Sequence, residues 1–406
     1  MERSNISDIH NCYGCGMCSK PCPVHIIDLH LNKNGFYEPY LTDPSKCIHC
    51  GLCRKVCAYI KNDLAVDNKP VASYAAWSND QLVRSRCSSG GVGFEIARYL
   101  LGKGFKTVGV RYIPEKQRAE HFVASTPEEV DQTSGSKYIQ SYTIDGWKDI
   151  DIKGKYLVTG TPCQIDSFRN YLKQKRLPEE NFVLLDFYCH GVPSMNVWKK
   201  YSKSVEKKIG KFTYVSWRNK WIGSQDGCTM KMRGEEHVKK INWHDSYNFF
   251  IKGVKGSWQS RMSKGDKFYK LFLGDCALGP QCYYRCKYKY DKSSADIRIC
   301  DLWGKTYQDY ADGVSGSIAF TERGKEILNA INCHLTVQPF EIVAQGQMRA
   351  CPSYKHWYKK VEDVLADQSA SINDAIKIVD HERKIDQWKY RFRHPVPTVC
   401  KIIKKI

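Results

Sequence analysis

Eight of the chain's nineteen cysteines fall into two copies of one spacing, Cys12-x2-Cys15-x2-Cys18-x3-Cys22-Pro23 and Cys47-x2-Cys50-x2-Cys53-x3-Cys57. No other feature constrains the fold as tightly, because thiolates at these intervals wrap an inorganic cluster. A triplet surrounds one face of a [4Fe–4S] cube, and the offset last cysteine points to a second cube. The spacing therefore assigns Cys12, Cys15, Cys18 and Cys57 to one cluster and Cys47, Cys50, Cys53 and Cys22 to the other. A zinc site would use the same thiolates in paired C-x2-C knuckles, and disulfides would need an oxidising compartment for which the sequence carries no signal. The second copy ends Cys57-Ala58, without the proline that follows Cys22; this loosens a turn and removes no ligand.

At 406 residues the chain exceeds a ferredoxin domain by enough for one large or two ordinary cores. Its N-terminus is polar, and no run approaches the apolar length a bilayer span needs, so a soluble, cytoplasmic protein without a transmembrane segment is expected. The formal charge of +20 is local: Lys199 to Lys292 holds 22 Lys and Arg against 8 Asp and Glu. Such a stretch attracts anionic partners or is simply a solvated face. No helix-turn-helix, finger or RNA-recognition signature accompanies it, which argues against nucleic acid.

The expected organisation is a ferredoxin domain over 1–66, a polar linker at Asn62 to Pro70, a mixed α/β body in two parts (71–180 and 181–350), and a helical basic tail over 351–406. Within the body, Gly91 to Leu101 predicts a helix with Phe94, Ala97 and Leu101 on one face. Phe105 to Val110, Tyr156 to Thr159 and Phe182 to Phe187 predict strands, the last two followed by helices at Ile165 to Gln174 and Ser194 to Lys207. From Val215 to Tyr288 periodicity is poor, and strands with long loops are expected. Val361 to Ala366 and Ile372 to Val379 read as helices before a basic end, Lys401 to Ile406.

Cys163 and Cys189 each follow a predicted strand directly, and ligand sites gather at the carboxyl ends of parallel strands. Cys282 and Cys286 form a further close pair. The other cysteines (Cys87, Cys228, Cys276, Cys300, Cys333, Cys351, Cys400) show no pattern and are read as structural, since buried free thiols are common. Cys87-Ser88-Ser89-Gly90-Gly91-Val92 opens a helix whose bare N–H groups suit a phosphate. Gly135-Ser136-Lys137-Tyr138 adds a turn with a cation, and Asp301-Leu302-Trp303-Gly304 one with a carboxylate and an indole.

The order of these segments, with Thr161-Pro162-Cys163-Gln164, Cys189-His190-Gly191 and Ala295-Asp296-Ile297, resembles the coenzyme F420 hydrogenase/dehydrogenase beta-subunit family, in the subgroup with an N-terminal dicluster ferredoxin. The resemblance runs from about Asn11 to about Leu328. It implies an iron–sulfur flavoprotein with FAD and a third [4Fe–4S] cluster held by Cys163, Cys189, Cys282 and Cys286. By the same resemblance Ser88, Ser89, Gly90, Gly91, Gly135, Ser136, Lys137, Tyr138, Asp296 and Asp301 would bind the flavin. Lys137 and His190 would be its catalytic groups, His190 alternatively serving only as a hydrogen-bonded neighbour of the cluster. Two departures stand out: Cys282 and Cys286 are one residue further apart than the family's pair, which keeps Cys276 in reserve, and Cys300 stands where the family has glycine before Asp301.

The expected activity is electron transfer between a protein carrier such as a ferredoxin, three [4Fe–4S] clusters and FAD, with hydride transfer to or from an anionic small molecule, F420-like or another reducible substrate. The alternative is a non-catalytic subunit feeding electrons to a partner enzyme. Either is compatible with a homo-oligomer.

Overall fold

A computed structural model describes residues 5–223, 230–232, 246–307, 310 and 312–394. The tail Lys401 to Ile406, Cys228, Cys400 and part of the basic stretch lie outside the described residues. The chain is a mixed α/β protein built on a nine-stranded sheet in the order Cys333–Val337, Ala72–Ser78, Ser315–Ala319, Ile297–Asp301, Phe182–Phe187, Tyr156–Thr159, Lys106–Ile113, Arg118–Ala124, Ser141–Tyr142. Its centre, from Ile297–Asp301 to Lys106–Ile113, is parallel, and antiparallel strands flank it. Ala72–Ser78, from the first expected part of the body, stands between strands of the second, and the remaining strands of the two parts adjoin, so the parts share one sheet.

The central strands are continuous apolar runs because helices cover both faces. Leu157, Val158, Val183 and Leu184 are fully buried. At the middle of the sheet Arg298 stands opposite Asp186 on the neighbouring strand, both fully buried and joined by two hydrogen bonds of 2.7 Å. Breaking such a pair by removing one partner costs about 3–5 kcal/mol, since the other charge is left in the interior.

The helix after Tyr156–Thr159 spans Pro162–Lys175, opened by proline in its first turn and by a capping box between Thr161 and Gln164. The helix predicted from Gly91 spans Val92–Gly102. Its buried face is centred on Val92, Ile96 and Leu100 with Phe94 and Ala97; Leu101, expected on that face, is only half-buried. Periodicity alone left this face uncertain by one position.

The stretch from Val215 to Tyr288 holds more than strands and loops. Phe212–Ser216, Asn248–Gly253 and Gly256–Arg261 form a small antiparallel sheet, followed by helices Lys267–Phe272 and Pro280–Tyr284. Stacked aromatics around Trp198, Trp217, Phe249, Phe268 and Tyr269 fill the space between this sheet and the helix Met195–Ile209. That packing, rather than any period along the chain, organises the segment. The helices Tyr358–Ala366 and Ile372–Arg393 close the fold.

In the N-terminal region Ile27–Leu31 pairs antiparallel with Tyr37–Leu41 around a turn in which Gly35 takes a φ of +80°. The segment expected as a linker is pinned to the body: the N–H of Ala65 donates to Asp166 (2.7 Å) and that of Val66 to Ser294 (3.2 Å). Polar composition marked it as solvated, but its donors are satisfied by buried acceptors of the larger domain.

Candidate functional site

The eight N-terminal cysteines gather around two small cavities. Cys12, Cys15, Cys18 and Cys57 line one, with Ile6, Ile9, Tyr13 and Tyr59. Cys22, Cys47, Cys50 and Cys53 line the other, with Val24, Ile26, Ile27 and Leu41. Gly14 and Gly16 turn the first loop with φ of +62° and +65°, and a Cβ at either would collide with Gln140 or Thr143. The chain thus doubles back against the body, and the carbonyl of Cys15 accepts hydrogen bonds from Thr143 Oγ1 (3.0 Å) and Trp147 Nε1 (2.8 Å). Burial pushes the Cys12 and Cys18 thiols well up, a penalty that a cationic cluster offsets when it takes the thiolate.

Four further cysteines converge in the body. Cys163 lies in the first turn after Tyr156–Thr159, and Cys189 follows Phe182–Phe187. Cys282 lies in Pro280–Tyr284, with Cys286 just beyond that short helix. Burial raises the Cys163, Cys189 and Cys282 thiols, and each also senses the charge of neighbours in the set: Cys163 that of Cys189 and Cys286, Cys189 that of Cys286, Cys282 that of both. Cys276, the reserve ligand, is elsewhere, buried in the aromatic core with its thiol against the Leu271 carbonyl (3.5 Å). Between Cys282 and Cys286 the helix ends at Tyr284, with Arg285 as its cap.

Among the described residues no group of three or more His, Cys, Asp or Glu side chains converges as on a single metal ion. A cube asks for a different arrangement, four thiolates held apart with one for each iron.

Of the cysteines read as structural, Cys276 and Cys333 are buried in cores. Cys87, in the same core as Cys333, also lines the large cleft described below, as does Cys300, and Cys351 touches Cys286, its thiol donating to the Cys286 carbonyl at 3.2 Å. Contact with the Cys351 thiol also holds the Cys286 thiol below its usual range. Cys351 lies 65 residues from Cys286 in sequence, so no spacing reveals it.

A cleft of about 440 Å³ opens at the carboxyl ends of the parallel strands. Ser88, Ser89, Gly91, Gly135, Ser136, Lys137, Tyr138, Cys189, His190 and Asp301 all line it. The two glycine turns meet directly, since the Ser136 N–H donates to Ser88 Oγ at 2.8 Å. Gly91 caps the helix Val92–Gly102 with a φ of +90° and no side-chain cap; the Phe94 N–H returns to the Gly91 carbonyl, which leaves the Val92 and Gly93 N–H groups without an intrahelical acceptor at the cleft wall. Gly90 lies behind the wall, where a Cβ would strike the Ala76 carbonyl.

Besides Gly90, Asp296 and Lys137 stand otherwise than expected. Asp296 is outside the cleft: its carboxylate accepts from the Leu184 N–H (2.7 Å) and pairs with Arg169 (3.2 Å), tying sheet to helix. Lys137 lines the cleft, but its ammonium donates to the carbonyls of Gln132, Thr133 and Ser134 at 3.2, 3.1 and 2.7 Å. An ammonium has three donors, so none is left for a ligand. Burial pushes this amine down to about 7, with the Cys87 thiol pulling the other way. Lys137 therefore closes the helix Pro127–Gln132 and shapes the turn.

His190 lies beside Cys189 with its Nε2 2.8 Å from an Asp275 carboxylate oxygen and its ring edge-on to Phe272. Sequence reading missed Arg218, which pairs with Asp301 and packs its guanidinium over Tyr247 (5.3 Å) and Trp303 (5.2 Å). Burial works against its charge, but Asp301 holds the group above its usual range. Lys220 was also missed; its Nζ holds the carbonyls of Arg84, Ser89 and Asp312 and so braces the Ser89 turn. His121 lies buried at the cleft, 3.3 Å from the Thr159 carbonyl, and burial holds its imidazole down at about 4. Gly316 stands opposite Cys300 across the strand, and a Cβ there would come within 2.5 Å of the Cys300 sulfur.

Residues 11–60 match the 4Fe-4S dicluster domain. Residues 73–145 match the N-terminal model, and 153–342 the C-terminal model, of the coenzyme F420 hydrogenase/dehydrogenase beta subunit. No curated protein matches the chain. Among solved structures, it is similar to a chain of the F420-reducing [NiFe] hydrogenase complex from Methanosarcina barkeri, with 16% identity, 80% of this chain and 96% of that chain covered, and a TM-score of 0.44.

Proposed function

Since the chain belongs to the coenzyme F420 hydrogenase/dehydrogenase beta-subunit family and carries a 4Fe-4S dicluster domain, we propose that it is an iron–sulfur flavoprotein oxidoreductase that takes electrons from a protein carrier and passes a hydride to a small reducible molecule. When bound, three [4Fe–4S] clusters and FAD would supply one-electron storage and its conversion to hydride transfer.

The observation that carries this reading is a series of three cysteine sets, each within electrostatic reach of the next. Cys50 is exposed, Cys53 senses Cys22 and Cys50, Cys18 senses Cys53 and Cys15, Cys163 senses Cys15, and Cys189 opens onto the cleft. Cys22, Cys47, Cys50 and Cys53 would hold the outermost cluster, where an acidic carrier such as a ferredoxin would dock. Cys12, Cys15, Cys18 and Cys57 would hold the middle one, and Cys163, Cys189, Cys282 and Cys286 the one beside the cleft.

Within the cleft, the N–H groups beyond Gly91 and around Gly135 would bind the pyrophosphate of FAD, with Ser88 bridging the turns. Tyr138, Tyr247 and Trp303 would flank the ring system and exclude water. Arg218, held by Asp301, would present a fixed positive charge to an anionic substrate or to the ring. His190, oriented by Asp275, would deliver a proton. A reducing compartment such as the cytoplasm preserves the thiolates this arrangement needs.

Anaerobic purification tests the reading. We expect about twelve iron and twelve sulfide per chain, FAD released on denaturation, and bleaching of the flavin by reduced ferredoxin, NAD(P)H or reduced F420. Iron near eight rejects the third cluster. Full iron with no flavin after gentle handling would establish the alternative, an electron-transfer subunit feeding a partner enzyme.

A further inference from the structure

The helix Ile372–Arg393 changes character midway along its length. Its first part buries Ile372, Ala375, Val379 and Glu382 against the body. Beyond Glu382 it carries Trp388, Tyr390 and Phe392, which are 67%, 58% and 77% exposed. Trp388 and Phe392, one turn apart, stack at 5.8 Å without covering one another. Lys384, Lys389, Arg391 and Arg393 are exposed around these rings. The acid in this stretch, Asp386, is turned inward to Lys355 (2.9 Å) and the Trp357 indole (3.1 Å), so the outward surface is cationic. The segment lies past residue 342, where the family match ends.

We propose that residues 383–393 form a peripheral anchor that seats on an anionic lipid bilayer. Tryptophan and tyrosine place their amphipathic rings at headgroup level, while long cationic side chains keep their charge at the phosphates and lay their stems along the apolar surface. Lysines and arginines near such a surface each add about fivefold in affinity. A second copy would bring the same positive charge to the contact and is repelled. Trp388 and Phe392, one turn apart, would enter the headgroup layer together on one side of the helix, while Tyr390 lies on another side. Among the described residues no helix is long and apolar enough to cross a membrane, so the attachment is peripheral.

The test is co-sedimentation of the full, cluster-loaded chain with vesicles of phosphatidylcholine, with and without about a third phosphatidylglycerol. Binding is expected to the anionic vesicles, with release at high salt. Trp388→Ala/Phe392→Ala and Lys389→Glu/Arg391→Glu/Arg393→Glu should each weaken it by at least about tenfold with iron content unchanged. No sedimentation with anionic vesicles, or equal binding by the variants, overturns the proposal. So does a dimer that the aromatic variant dissolves, which would assign the face to a second copy. The outcome is independent of the redox reading.

Discussion

The sulfur of Cys15 lies 3.4 Å from the hydroxyl of Ser167, which sits one helical turn beyond Cys163. The same hydroxyl accepts the Ala58 N–H at 3.4 Å. One serine of the body therefore touches Cys15 and the residue after Cys57, and shares a helix with Cys163. Tyr13 strengthens the junction, its hydroxyl donating to the Arg285 carbonyl at 2.6 Å next to Cys286.

With Cys15 as a thiolate, Ser167 donates to it, and a hydrogen bond to a ligand sulfur favours the reduced cluster. Ser167→Ala should lower the midpoint potential of one cluster by some tens of millivolts, since about 1 kcal/mol is about 40 mV for one electron. Anaerobic redox titration followed by electron paramagnetic resonance measures it. Unchanged potentials for all clusters would mean the contact does not persist in the loaded protein.

The body cysteines separate by iron content. Cys163→Ser or Cys189→Ser should remove about four iron and leave the ferredoxin-type signals. Cys276→Ser should remove none, because its thiol faces the aromatic core. Loss of iron in the Cys276 variant would show that the segment around Pro280–Tyr284 rearranges on loading.

Arg218 and Asp301 form a mostly buried pair at the cleft. Arg218→Ala leaves a carboxylate without its partner, for a loss of about 3–5 kcal/mol, and should weaken flavin retention. The double variant Arg218→Met/Asp301→Leu should recover much of the stability but not the flavin. Thermal melting and the flavin-to-protein ratio after gel filtration separate the two effects; recovery of both would deny the pair a ligand role.

His121 gives a pH signature. Burial holds its imidazole at about 4 against an unfolded value of about 6.5. Between these values the unfolded chain binds more protons, so stability is full above about 6.5 and falls as pH drops towards 4. The contribution is at most about 3 kcal/mol. His121→Gln should flatten the melting temperature between pH 5 and 7 relative to the parent chain; parallel curves would mean that His121 is not the titrating group.

Lys137→Met should loosen the turn at Gly135 rather than remove a ligand contact, because three carbonyls lose their donor. Flavin retention is expected to fall together with protection of residues 132–137 in hydrogen exchange. A fall in retention with unchanged protection would restore a direct role for the amine.

Much of this molecule was readable along the chain. The ferredoxin cysteines are written in local spacing, because a cube is wrapped by neighbours in sequence. The strands Tyr156–Thr159 and Phe182–Phe187 were readable because buried parallel strands are continuous apolar runs, and the helix at Pro162 because its cap lies in four adjacent residues. The resemblance added which glycine turns belong together.

What remained hidden depends on three-dimensional contacts, most of them between residues far apart in sequence. No local pattern distinguishes Cys351 from Cys276, yet one touches Cys286 and the other faces the core. Asp296 and Asp301 both stand near a motif, and only the sheet decides that one pairs with Arg169 and the other with Arg218. The three donors of Lys137 are used by carbonyls that only the close of the helix Pro127–Gln132 brings around it. Sequence by itself determined the chemistry on offer, sulfur ligands and glycine turns, since these are set by residue type and short spacing. Tertiary structure decided which groups meet, because burial and charge pairing act between segments that lie well apart along the chain, as Arg169 and Asp296 or Arg218 and Asp301 do.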